Sequence, residues 1–125
     1  MDNENEWTVE RHLLGQPAAS VELYHRFVAL LEEIGPFSYA VSKSSITFKG
    51  TQRGFAGAKP VRNGLRGYFD ARERWSDPRI SSAAPFSRTL FVHHFRLASL
   101  DDLDAGVSDW LREAYAVGAG AHLDG

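Results

Sequence analysis

The sequence predicts an α+β fold: an antiparallel sheet of four or five strands, with an N-terminal and a C-terminal helix packed on one face. Three features predict it. Leu23, Phe27, Leu30, Leu31 and Ile34 form a stripe at helical spacing that stops at Gly35-Pro36. The middle of the chain then changes to period-two alternation, clearest in Phe91, Phe95 and Leu97. A second helical stripe, Leu103, Val107, Trp110, Leu111 and Ala114, runs toward Gly118.

The elements follow in order. Thr8 is placed to cap a short helical turn that ends at Gly15. The first long helix follows Pro17 and ends where glycine accepts the cap conformation and proline cannot continue. Phe37, Tyr39 and Val41 read as one strand, and Ile46 with Phe48 as the next. Residues 53–59 form a Gly/Ala-rich strand around Phe55, and Asn63-Gly64 supplies the positive φ angles of a hairpin turn. Alternation resumes over residues 65–70, and residues 71–85 read as an irregular loop holding Trp75 and a short strand near Ile80. Residues 88–97 are the clearest strand. Ser99 caps the entrance to the last helix, where Asp101 and Asp102 favour the positive end of its dipole. Residues 1–7 are expected to be frayed, 8–118 to form a single domain and 119–125 a loose tail.

Composition narrows the chemistry. With 43% hydrophobic and 24% charged residues over 125 positions, the chain can bury one core without covalent staples. It has no cysteine, which excludes disulfides, thiolate metal sites and cysteine nucleophiles. No apolar stretch is long enough to span a bilayer, so no membrane partner is expected. The start, Met1-Asp2-Asn3-Glu4, is acidic where a signal peptide is basic, and the expected location is the cytoplasm. The net charge of −2 conceals segregation: residues 43–96 carry eleven Lys and Arg against three acids, whereas each flank is net acidic.

Strand alternation converts that segregation into a candidate site. If Ile46/Phe48, Leu65/Phe69 and Phe91/Phe95 face the helices, the opposite face carries Lys43, Thr47, Lys49, Arg66, Tyr68, Arg88, His94 and Arg96. Gly54, Ala56 and Ala58 would give this face a shallow floor. Clustered cations beside a stacking ring suit phosphate, a nucleotide or a single strand; a merely solvated face is the plain alternative. Lys43, Lys49, Arg66 and Arg96 are the expected phosphate contacts, with Tyr68 stacking and His94 as a pH-sensitive donor. His93 and His94 are adjacent and point to opposite faces, so they cannot share a metal; His93 falls on the apolar side, where a core role is the default.

Other constellations fall short. Arg53-Gly54-Phe55-Ala56 opens like an RNA-recognition signature, but Gly57, Ala58 and Pro60 stand where large residues are required. Asp101, Asp102 and Asp104 lack the calcium-loop pattern and fit helix capping. No phosphate loop, dinucleotide fingerprint or hydrolase motif occurs, and no cofactor or metal is expected. The leading expectation is a non-catalytic domain that binds nucleic acid or a nucleotide. One rival is a homodimer or protein-interaction module, with the basic centre of one copy against the acidic helices of another. A second rival is an enzyme on a small anionic substrate, with His93 or His94 as acid/base beside Asp70 or Glu73.

Six stretches stand in a distinctive order over residues 8–118: Thr8-Val9-Glu10-Arg11-His12-Leu13-Leu14-Gly15; Leu23-Tyr24-His25-Arg26-Phe27-Val28-Ala29-Leu30; Ser42-Lys43-Ser44-Ser45-Ile46-Thr47-Phe48; Arg53-Gly54-Phe55-Ala56; Val92-His93-His94-Phe95-Arg96-Leu97; and Trp110-Leu111-Arg112-Glu113-Ala114-Tyr115. This order resembles the bacterial family DUF5655, a domain of unknown function. The resemblance implies no settled activity. Some members carry a zinc-ribbon-like segment, which a chain without cysteine cannot form. Others occur beside nuclease-like modules, which implies a nucleic-acid context. It also draws Lys43, Arg53, His93 and Arg96 into the candidate ligand-binding set, His93 as a pocket residue at the edge of the core.

Overall fold

Leu23, Phe27 and Leu31 recur every fourth position and are fully buried along the helix Ala18–Ile34 (α2), which follows a short helix, Val9–Leu13 (α1). The structure, a computed structural model, describes residues 6–123. Thr8 caps α1 by accepting from the Arg11 amide at 3.2 Å. Expectations for residues 1–5 and 124–125 lie outside the described residues. Of the tail set apart by sequence, Ala121–Leu123 form a 3-10 turn with His122 buried.

The alternating middle builds one antiparallel sheet from Ser38–Val41 (β1), Ile46–Lys49 (β2), Gly54–Val61 (β3), Gly64–Ala71 (β4), Ile80–Ser87 (β5) and Leu90–Leu97 (β6). Its spatial order is β1-β2-β3-β4-β6-β5. The sheet has six strands, not the four or five expected. β5 extends well beyond the short strand expected near Ile80, although its Ser/Ala sequence with Pro85 carries no alternation; pairing with β6 holds it, and an edge tolerates proline. The turn between β3 and β4 also differs. It is Arg62-Asn63, and Gly64 opens β4 with φ +139°, where a Cβ would collide with the Leu97 carbonyl oxygen.

Both long helices cover the same face. The Phe95 ring lies 5.7 Å from Phe27 of α2 and 5.7 Å from Trp110 of the helix Ala105–Gly118 (α3). Trp110 stacks on Phe69 at 5.0 Å, and Phe69 stacks on His93 at 4.6 Å. The entrance to α3 is broken in two. Ser99 and Asp102 form a capping box on the 3-10 turn Leu100–Asp102, while Asp104 caps α3 itself through the Val107 amide. Arg79 joins these parts to the sheet: it pairs with Asp77 and Asp104, donates to the Asp102 carbonyl at 2.7 Å and lies over Trp110. Among the described residues, no helix is long and apolar enough to cross a membrane.

A bulge shifts the register between β2 and β3. Phe48 opposes Ala56 while Lys49 opposes Gly54, which leaves Phe55 as the extra residue. Phe55 and Ala56 are both fully buried on the helix side, Phe55 against Tyr115. The phase of β3 is thereby reset. Ala56 and Ala58, expected as the floor of the open face, share the helix face with Phe69 and Gly67, while Gly57 and Lys59 face outward with Tyr68 and Arg66. Truncating the ring shared by both helices tests this packing: Phe95→Ala is expected to cost about 3–5 kcal/mol in urea unfolding. A loss below about 1 kcal/mol would contradict the described core.

Candidate functional site

The open face is organised in cross-strand rows. Directly opposed residues of an antiparallel pair project to the same side, and the register aligns Lys59 of β3 with Arg66 of β4, and Arg66 with Arg96 of β6. Three cations therefore stand side by side on adjacent strands. Among the described residues none of the three forms an ion pair. Partial burial, reinforced by repulsion from Arg66, pulls the Lys59 ammonium below the ordinary lysine range. Lys59 was not among the residues singled out in the sequence, because the uninterrupted phase from Phe55 turns it inward. A two-residue turn at Arg62-Asn63 carries the missing signal, since it places Lys59 opposite Arg66.

The next row is polar and aromatic. Thr47 opposes Gly57, Gly57 opposes Tyr68, Tyr68 opposes His94, and His94 opposes Ser82. The Tyr68 ring lies across Gly57, where an added Cβ would fall 2.6 Å from Cε1. Its hydroxyl meets Thr47 Oγ1 at 3.1 Å, and its ring centre lies 6.3 Å from that of exposed His94. Burial raises the Tyr68 pKa, so the phenol stays neutral near pH 7. The cation row and Gly57, Tyr68 and His94 of the second line a groove of about 360 Å³, with Ser44 and Ser45 contributing on one side and Ser81 on the other.

Beyond Tyr68 the face closes. Asp70 is buried, and its Oδ2 accepts from Arg53 Nη2 at 3.2 Å. Oδ1 has no hydrogen-bond partner among the described residues. Arg53 also lies 5.3 Å from the centre of the Phe86 ring. Burial pushes the Asp70 carboxyl up to about 6, against the opposing pull of Arg53. Arg53, a candidate ligand residue, is thus engaged within the protein.

The other candidates fall elsewhere. Lys49 is exposed beside this half of the face; Lys43 lies in the β1–β2 connection and Arg88 in the β5–β6 turn, and none of the three lines the groove. His93 is fully buried under the helices; its Nε2 accepts from the Trp75 amide at 2.9 Å. Burial lowers its pKa, opposed by nearby carbonyls of Phe69 and Phe91. His93 and Asp70 project to opposite faces of the sheet. Among the described residues no three His, Asp or Glu side chains converge as a metal site.

Asp70 leaves a signature in stability. Its folded pKa of about 6 exceeds the ordinary 3.8, so the folded state holds the proton more tightly and stability falls as pH rises between those values. His93 acts in the opposite sense, since its lowered pKa removes stability as pH falls below the ordinary histidine range. Asp70→Asn deletes only the first effect. Its unfolding free energy relative to wild type is expected to rise by about 2 kcal/mol between pH 4 and pH 7, as most of a pKa shift of roughly two units falls within that window. A pH-independent difference, measured by urea unfolding, would show that Asp70 is not a buried charge.

No curated protein and no solved structure gives a significant match to the chain. The model of the family DUF5655, described as a domain of unknown function, matches residues 9–118 of the 125, from α1 through the end of α3. The groove, the Arg53–Asp70 pair and both long helices all lie within that span, and the chain belongs to the DUF5655 family.

Proposed function

We propose that this domain binds a phosphate-bearing ligand, a nucleotide or a nucleic acid, in the groove on its open sheet face. The observation that carries the reading is the row Lys59–Arg66–Arg96, in register on three adjacent strands and without a carboxylate partner among the described residues. Like charges directly opposite one another destabilise a sheet. An anion seated over the row reverses that cost. Two guanidinium forks offer bidentate geometry to phosphate oxygens, and Lys59 adds a compact point charge. Tyr68 and His94 lie alongside, where a base can rest on their rings. The groove's volume of about 360 Å³ is at the small end of ligand pockets and suits a nucleotide-sized group.

Fluorescence titration of labelled single strands and mononucleotides over a range of salt tests this. With about three cations engaged, log affinity is expected to fall against log salt with a slope near −2. Arg66→Ala and Arg96→Ala are each expected to weaken binding about tenfold or more, as loss of one charged hydrogen bond implies, while Arg88→Ala leaves it unchanged. Absence of binding at low salt, or binding indifferent to Arg66 and Arg96, overturns the proposal. Salt-sensitive self-association in light scattering without oligonucleotide binding would instead place an acidic surface of a second copy on the groove.

A further inference from the structure

We infer that the groove selects a terminal phosphomonoester, carried by a mononucleotide or by the phosphorylated end of a strand, over the internal phosphodiesters of a chain. The inference rests on the reading above and narrows it.

The positive charge is concentrated rather than strung out. Lys59, Arg66 and Arg96 occupy one cross-strand row, and neighbouring strands lie about 4.8 Å apart, so the three head groups can converge on a single phosphate. Toward the C-terminal end of β4 the row has no continuation. The next positions are Gly57, Tyr68 and His94; after them come Asp70 and Val92. Of the cations at that end, Arg53 is occupied by Asp70 and lies over Phe86, and Lys49 stands outside the groove. A strand laid along β4 would carry its following phosphates away from the cations and toward a carboxylate. Across the strands, the groove borders on the hydroxyl-bearing Ser45 and Ser81, and neither Lys43 nor Lys49 lines it.

Charge matching favours the same ligand. A phosphomonoester carries about −1.5 to −2 near pH 7, whereas each internal diester carries −1. Three unpaired cations around one phosphate therefore discriminate by charge as well as by position. The adjoining Tyr68–His94 surface then receives the group attached to that phosphate, which sets the size at about one nucleotide.

The test uses the intact protein and one labelled single strand prepared with either a 5′-phosphate or a 5′-hydroxyl, with AMP, adenosine and inorganic phosphate as competitors. The phosphorylated strand is expected to bind at least about tenfold more tightly, and Arg66→Ala or Arg96→Ala, shown folded by circular dichroism, should erase the difference. AMP competing where adenosine does not supports a free mononucleotide as the source; preference for the phosphorylated strand without competition by AMP supports a strand end. Equal, salt-sensitive binding of both strands overturns this inference and leaves the broader phosphate-binding function standing. Failure of every probe to bind overturns both.

Discussion

The bulge between β2 and β3 decides which side chains share the open face. Phe55 is the extra residue, and with Ala56 it is drawn into the core beneath α3 and α2. Burying a phenylalanine ring is worth roughly 2–3 kcal/mol, far more than the outward placement of a small residue. The strand therefore yields its regular alternation at that point. From there onward Gly57 and Lys59 project outward. Without the reset, Lys59 would point under the helices and Ala58 would stand beside Arg66. The cation row is thus a consequence of how one aromatic side chain is packed on the opposite side of the sheet.

That opposite side is held by rings in series: His93 on Phe69, Phe69 on Trp110, and Trp110 against Phe95, which also meets Phe27. Such stacked contacts fix the strands on which the groove is built. His93 belongs to this layer and supplies an acceptor to the Trp75 amide, tying the loop after β4 onto the core. The acidic helices meanwhile neutralise part of the basic centre. Glu113 of α3 binds Arg72, and Asp104 at the α3 cap binds Arg79 together with Asp77. Arg72 and Arg79 are thereby compensated, whereas among the described residues the groove row has no carboxylate partner.

The two long helices, their C-terminal ends and the apolar phase of β4 and β6 were legible in the sequence because large apolar side chains mark period 3.6 or period 2 without ambiguity, whereas Asp104, not Ser99, caps α3. Arg66, Tyr68, His94 and Arg96 were placed correctly on the face opposite the helices for that reason. The phase of β3 was not legible, since Gly54, Ala56, Gly57 and Ala58 are too small to declare a side. Lys59 was missed with it, and Ala56 and Ala58 were assigned to the wrong face. Beyond the short stretch near Ile80, the strand Ile80–Ser87 was hidden by its composition: its pairing comes from the backbone, and small or polar side chains leave no pattern. The engagement of Arg53, just before β3, with Asp70 of β4 joins positions seventeen residues apart and depends on the register the bulge creates.

The two halves of the open face handle charge differently. Toward Asp70, one half-buried cation meets one carboxylate that is withdrawn from water. The carboxyl retains an unmatched oxygen and a raised pKa, so even this compensated pair is strained by burial. Toward Arg66, three cations face one another with no carboxylate partner among the described residues, and burial together with repulsion from Arg66 lowers the Lys59 pKa. A merely solvated face does not require like charges in adjacent register; spacing them one row apart would keep the solubility and lose the repulsion. On the proposed reading, an incoming dianion would convert that repulsion into binding energy without reorganising the sheet, since the cations are already juxtaposed by the backbone ladder. The geometry that is unfavourable in isolation is thereby the geometry that a single phosphate group rewards.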